Sequence, residues 1–143
     1  CSSDLNFKLT LGEFPDPFLR YKENGYKVEL MGKETVEGSE CFKIKLTKKP
    51  ITVDGKKEES VAFYYFDAND YVPIVMEQEI KSGQGKGMVS QMKMSDYTEV
   101  NGLMFPFSMS QGVKGGGGQG FRVTKIELNP KVDAAFFNFP SDK

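Results

Sequence analysis

The feature that most restricts this fold is an alternation of apolar and polar side chains that begins at Tyr26 and recurs along the chain. Tyr26–Met31, Cys41–Thr47 and Leu103–Gln111 each place apolar residues at nearly every second position. A period of two is typical of a β-strand that buries one face and leaves the other in water. The alternation therefore predicts a sheet with one apolar face, which a second layer or a ligand has to cover.

Turn signals divide the chain into about seven strands at hairpin spacing. They occur at Glu37-Gly38-Ser39, Asp54-Gly55, Asp67–Asp70, Gly83–Gly87 and Asn101-Gly102. The last of these is the strongest, since both central residues of a type I′ turn need positive φ. Such short connections leave no room for crossover helices, which excludes a parallel sheet. The fold class predicted is mainly β, a curved antiparallel meander with one or two short helices.

We divide the chain into a leader over 1–24 and an antiparallel β-sheet domain over 25–143. In the leader we expect a short strand over 5–11 and a short helix over Phe18–Glu23. Near the end of the sheet domain we expect a second helical turn at Ala134–Phe137.

Three details of the sheet follow from local sequence. Val61–Phe66 is apolar or aromatic throughout, which predicts a strand covered on both sides. Pro106 cannot donate a ladder hydrogen bond, so its strand is expected at an edge or locally bulged. Gly112–Gly120 is expected to form a flexible loop before a last strand over Phe121–Leu128.

Composition excludes several function classes. The chain has 143 residues, with 19 basic against 20 acidic side chains and no histidine. It has neither the basic stripe of a nucleic-acid-binding protein nor the commonest acid-base group and metal ligand. We therefore expect no nucleic-acid partner, no metal and no cofactor. The sequence has no run of about 18 apolar residues, so it predicts no membrane-spanning helix.

Two motifs that suggest catalysis have plainer explanations. In Gly83–Gly87, Lys86 is followed by Gly87 rather than by the Ser or Thr of a phosphate loop, which favours a turn. Glu77 and Glu79 share one strand face and could in principle form the acid pair of a glycosidase, but a solvated charged face that pairs with a neighbouring lysine-rich strand is the plainer explanation. We expect no enzyme.

The apolar face supplies the candidate site. Around the Asn101-Gly102 hairpin, phenylalanine and methionine side chains can form a deformable lining for an acyl chain. The pairing of the two strands is expected to bring Met92 and Met94 close to Met109, with a bulge between Met94 and Val100. The residues predicted to bind the ligand are Met92, Met94, Leu103, Phe105, Phe107 and Met109. Two alternatives stay open: these side chains fill a closed core, or the face or edge strand pairs with another protein.

The two cysteines add one hypothesis. A chain that begins Cys1-Ser2-Ser3-Asp4 is what remains when a bacterial lipoprotein signal is cut before its lipidated cysteine. Cys1 is therefore a candidate lipidation site, with an ordinary free thiol as the alternative. With Cys41 it can form at most one bridge.

Several longer motifs resemble outer-membrane lipoprotein-sorting (LolA-like) proteins of Bacteroidetes-type bacteria, over about Phe14 to the C-terminus. The matching segments are Gly25–Glu34, Val36-Glu37-Gly38, Phe42–Thr47, Tyr64–Ala68, Ser95–Phe107, Ile126–Asp133 and Phe137–Pro140.

This resemblance implies a half-open, strongly curved antiparallel β-barrel in the periplasm or on the periplasmic face of the outer membrane. Its apolar concavity would shield lipoprotein acyl chains. Family members carry further residues before the matching region. The chain is then expected to be a fragment, or a shorter relative whose cavity a second protein or protomer completes.

Overall fold

The computed structural model describes residues 18–19 and 21–131. The predicted lipidation site, the strand over 5–11 and the helical turn at Ala134–Phe137 lie outside these residues. The domain boundary at residue 25 stays a prediction. Among the described residues no helix is long and apolar enough to cross a membrane.

Seven strands follow one another along the chain and pair with their sequence neighbours in a single antiparallel sheet. The predicted fold class, a mainly β antiparallel meander, is confirmed: β1 and β7 do not pair, so the sheet is open, and the described residues contain no helix. Its strands are β1 (Lys27–Val36), β2 (Ser39–Val53), β3 (Lys56–Asp67), β4 (Pro73–Glu79), β5 (Val89–Val100), β6 (Leu103–Val113) and β7 (Gly118–Arg122).

The predicted turns are confirmed by their backbone conformation. Glu37-Gly38, Asp54-Gly55 and Asn101-Gly102 each join two strands through two residues with positive φ, as type I′ turns require. The turn over Asp67–Asp70 is held by the Asp67 carboxylate, which accepts the amide hydrogens of Asn69 and Asp70 at 2.8 and 3.0 Å.

The predicted helix over Phe18–Glu23 is wrong. Residues 18–19 and 21–25 form turns, with the Tyr21 amide donating to the Phe18 carbonyl at 3.3 Å. One turn of helix is costly to nucleate, and here the aromatic ring of Phe18 packs on the sheet instead. Packing therefore decides the local conformation.

The last strand also differs from its prediction. β7 runs over Gly118–Arg122, so it begins inside the segment expected to be a loop and ends six residues before Leu128, the predicted end of the strand. A Cβ on Gly112 would stand 2.6 Å from the Gly118 Cα, so the glycines let the two backbones approach closely. The glycine-rich sequence thus serves a tight strand pair rather than a long loop.

The sheet buries one cluster on each face, and β3 contributes to both. One cluster contains Leu46, Ala62 and Tyr64, and the other contains Cys41, Tyr65 and Val75. Tyr64 and Tyr65 follow each other in β3, so their side chains point to opposite faces and one joins each cluster. The expectation that Val61–Phe66 is covered on both sides is confirmed.

Candidate functional site

The strand register assembles an apolar surface from five strands. Tyr64 on β3 pairs with Met76 on β4, and Met76 pairs with Met92 on β5. In the next row Met94 pairs with Met109 on β6, which pairs with Phe121 on β7. Directly paired residues share a face, so these side chains form one continuous apolar surface.

One half of this surface is sealed by the chain itself. Phe18 lies 4.7 Å from Tyr64 and 5.6 Å from Phe66, measured between ring centroids, in edge-to-face contacts. Tyr26, Val28 and Met76 pack around the same cluster, in which Leu46 has no exposed surface. The sealed half is therefore ordinary core.

The other half stays partly in contact with water. We call it the methionine patch, and it consists of Met92, Met94, Phe107, Met109 and Phe121. The first four are half-buried and Phe121 is 54% exposed. Among the described residues nothing seals this half as Phe18 seals the other.

The β5–β6 hairpin changes its hydrogen-bonding pattern partway along. Near its base the Lys114 amide donates to the Val89 carbonyl, so odd-numbered residues of β5 direct their backbone groups toward β6. At the tip the two-residue turn makes Val100 and Leu103 a hydrogen-bonded pair, which assigns that role to even-numbered residues. The pattern therefore shifts by one residue between base and tip.

The shift occurs at Asp96, whose φ is 52°, opposite Phe107. Tyr97 pairs with Pro106, which has no N–H to donate, so this pair has to be of the non-hydrogen-bonded kind. The local irregularity expected at Pro106 is thus present. It skips one residue on each strand, so the register is unchanged.

This shift divides the predicted site. A residue's face alternates together with the direction of its N–H, so Leu103 and Phe105 lie on the face opposite to Met94 and Met109. Tyr97 instead joins the face of Met94, and its hydroxyl lies 3.9 Å from the Met94 Sδ. The prediction of one face for all six residues is corrected: Met92, Met94, Phe107 and Met109 belong to the patch, and Leu103 and Phe105 do not.

Tyr97 ties the outer part of the hairpin to the start of β4. Its hydroxyl donates to the Pro73 carbonyl, and burial raises the pKa of Tyr97 to about 12. A neutral hydroxyl therefore holds this contact at physiological pH.

The opposite face carries a polar network that the sequence did not predict. Glu77 is buried, not solvated, and it accepts hydrogen bonds from Gln91 at 2.8 Å and Tyr65 at 3.4 Å. The Lys114 ammonium lies 2.9 and 3.0 Å from its two oxygens, and this hydrogen bond raises the pKa of Lys114. Glu79 instead pairs with Lys81 at the surface.

This network argues for a structural role of Glu77. The Glu77 carboxylate is held by an ammonium, an amide and a phenol, and Glu79 is paired with Lys81, so each acid already has its own partners. The sequence signal that could have found it is Lys114 next to the glycine turn, but only the register brings that lysine to β4.

A groove of about 530 Å³ opens on the face opposite to the methionine patch, where Lys93 pairs with Ser110 and Ser95 pairs with Ser108. It is lined by two apolar residues of the β3–β4 connection and β4, by two methionines, and by polar side chains from the strand ends and turns. The lining residues are Glu37, Ser39, Asp67, Asp70, Val72, Ile74, Lys93, Met94, Ser95, Asp96, Tyr97, Met104, Ser108 and Ser110. No group of three or more metal-ligating side chains occurs in the described part of the chain.

No family model matches the chain, and no curated protein matches it in sequence. Its fold is similar to the crystal structure of a domain from Vibrio parahaemolyticus that is named as an outer membrane lipoprotein-sorting protein domain. The TM-score is 0.55 and the identity is 13%, over 79% of this chain and 46% of that one. This chain thus spans about half the length of that domain, and the likeness establishes a shared fold.

Proposed function

We propose that this protein binds the acyl chain of a lipid or lipoprotein on the methionine patch, without catalysis. The observation that carries the proposal is the unequal cover that the described residues give the apolar face: Leu46 is fully buried, whereas Met94 and Met109 are half-buried. The fold shared with a domain named for lipoprotein sorting supports the same ligand class. A LolA-like carrier of the Bacteroidetes type, in the periplasm or on the periplasmic face of the outer membrane, is the finer form of this proposal.

The chemistry of the patch suits a flexible apolar chain. Each buried CH₂ contributes roughly 0.8 kcal/mol, so half of a fatty chain contributes several kcal/mol without any polar contact. Methionine side chains repack at little cost, which accommodates chains of different length or bend. The absence of histidine and the engagement of Glu77 in a buried network both favour binding over catalysis.

The test is uptake of a neutral hydrophobic dye, N-phenyl-1-naphthylamine, and its displacement by dodecyl maltoside below the micelle concentration. We expect the dye to fluoresce with the wild-type protein. Met109→Glu should lower the dye affinity at least about tenfold, because burying an unpaired carboxylate under the dye costs more than about 1.4 kcal/mol of binding free energy.

Met88→Glu is the matched control, since Met88 is 51% exposed and lies outside the patch. No uptake by the wild-type protein, or equal losses in the two variants, would refute the proposal. Circular dichroism of both variants confirms that they fold.

A second candidate is pairing with another protein or protomer through the outer edge of β1. Leu30 and Met31 there are 66% and 54% exposed. The same edge carries a bulge between Leu30 and Gly32 and flanking charges, features that discourage strand addition. A monomeric sedimentation profile at high concentration would remove this candidate.

A further inference from the structure

The outer end of the β5–β6 hairpin extends beyond the neighbouring strands. β4 pairs with β5 no further toward the tip than Val75 opposite Lys93, and β7 pairs with β6 no further than Arg122 opposite Ser108. Among the described strands, Thr98–Phe105 therefore pair only with each other. We call these eight residues the hairpin end.

The hairpin end exposes apolar side chains on both of its faces. Leu103 is 55% exposed and Met104 is 48% exposed, and they follow each other in β6, so their side chains point to opposite faces. Val100 and Phe105 are half-buried. Leu103 and Phe105 are the two predicted ligand-binding residues that do not belong to the methionine patch, so their apolar surface has no assigned role there.

The shape of the hairpin end fits a lipid layer better than a protein surface. A stable protein interface takes about 20–30 residues from each partner, and the hairpin end has eight. A protein surface would cover one face of this two-stranded ribbon, whereas a lipid layer surrounds whatever enters it. The backbone groups on the two outer edges limit entry to the interfacial region, because hydrocarbon offers them no hydrogen-bond partner.

The charges of the hairpin indicate which kind of lipid surface it fits. Glu99 is the one charged residue of the hairpin end, and no lysine or arginine occurs between Met94 and Gln111. Anionic membranes attract clusters of lysine and arginine and repel a carboxylate. The complementary surface is therefore one without net charge.

We propose that the hairpin end inserts into the surface of an uncharged lipid bilayer, with Leu103 and Met104 as the side chains that enter it. Each of these side chains has about half of its surface left to bury, so the association is weak and reversible. Neither residue belongs to the methionine patch. The inference is therefore independent of acyl-chain binding there.

Flotation with phosphatidylcholine vesicles tests the proposal. We expect the wild-type protein to float with the vesicles, and the double variant Leu103→Ser/Met104→Ser to partition at least about tenfold less. The double variant Leu30→Ser/Met31→Ser is the matched control. It removes the same two residue types in the same order from the β1 edge, where they are 66% and 54% exposed, and it should float like the wild type.

A fluorescent reporter checks insertion without removing the apolar surface. The chain contains no tryptophan, so Leu103→Trp places a single indole at the hairpin end. Its emission should shift to the blue on addition of phosphatidylcholine vesicles and should be quenched by lipids brominated in the acyl chain. Leu30→Trp, on the β1 edge, should show neither change.

Mixed vesicles test the preference for an uncharged surface. Added phosphatidylglycerol should weaken binding at low ionic strength, and Glu99→Gln should reduce this weakening. Stronger binding to the anionic vesicles would overturn the uncharged surface.

The remaining outcomes concern insertion itself. It would be refuted if the wild-type protein did not float, or if the two serine pairs lost equal affinity. Leu103→Ser/Met104→Ser should keep the wild-type uptake of N-phenyl-1-naphthylamine, so failure of vesicle binding would leave acyl-chain binding on the patch intact.

Discussion

The two halves of the apolar face both carry apolar side chains but differ in how far those side chains are buried. On β2 and β3, Leu46 and Ala62 have no exposed surface and Tyr64 has 7%. On β5, β6 and β7, by contrast, Met92, Met94 and Met109 stay half-buried and Phe121 is 54% exposed. The difference shows that an apolar alternation predicts a face, whereas its cover comes from another part of the chain.

The cover over the sealed half is the segment that precedes β1. Phe18 contacts Tyr64 and Phe66, and Tyr26 packs at the same cluster. Phe18 and Tyr26 help to bury the apolar residues of β2 and β3, and neither residue packs on the methionine patch. This asymmetry is what turns an ordinary sheet into a candidate binding surface.

The largest expected effect compares Leu46→Ala with Met109→Ala. Leu46 is fully buried, so its truncation should lower the free energy of unfolding by about 2–5 kcal/mol, through lost transfer energy and a cavity. Met109 is half-buried in the patch, and its truncation should cost below about 1 kcal/mol. Urea unfolding of the two variants measures both values, and equal costs would mean that the patch is core.

Phe18→Ala tests the cover itself and should have an intermediate effect. Two edge-to-face contacts and part of the ring's burial are lost, which should lower the free energy of unfolding by about 1–3 kcal/mol. Exposure of Tyr64 and Phe66 should also raise the number of dye molecules bound per protein. An unchanged dye stoichiometry, together with unchanged stability, would show that Phe18 seals nothing.

The smallest effect concerns the joint between β4 and the outer hairpin. The unfolded pKa of tyrosine is about 10, and burial raises the folded pKa of Tyr97 to about 12. The neutral hydroxyl therefore stabilises the fold fully below pH ~10, and this contribution is lost between about 10 and 12. Tyr97→Phe should lose about 1 kcal/mol at pH 8, with its hydrogen bond to Pro73.

Urea unfolding of Tyr97→Phe and wild type between pH 8 and 12 checks this prediction. The stability gap between the two proteins should close as pH passes through that window, because only the wild type loses a contribution from this tyrosine. A gap that stays constant across the window would contradict the rise in the pKa of Tyr97 caused by burial.

Much of the fold could be predicted because its signals are local. Asn101-Gly102 and Asp54-Gly55 carry the turn chemistry that positive φ requires, and the strand count follows from their spacing. Pro106 signalled an irregularity for the same reason, a missing donor in its own backbone. Predictions that needed a neighbour were less secure: Phe18–Glu23 was assigned a helix by capping signals, and packing overruled them.

The candidate site was partly predictable for the same reason. Met92, Met94, Phe107 and Met109 were assigned to one face by spacing, and the register places them together. Leu103 and Phe105 were assigned to that face too, but the change of hydrogen-bonding pattern at Asp96 turns them to the other side. The buried Glu77–Lys114 pair and the acidic groove join residues far apart in sequence, which no local pattern reveals.

By itself, therefore, the sequence determined the elements: an antiparallel meander, its tight turns, and one apolar side to its strands. These depend on backbone sterics and on a period of two, both properties of neighbouring residues. Only the tertiary structure decided which half of the apolar face is covered and which residues line the groove on the opposite face. Those outcomes depend on where the Phe18 ring packs and on the change in hydrogen-bonding pattern between β5 and β6 at Asp96. Both are set by contacts between residues on different strands or segments.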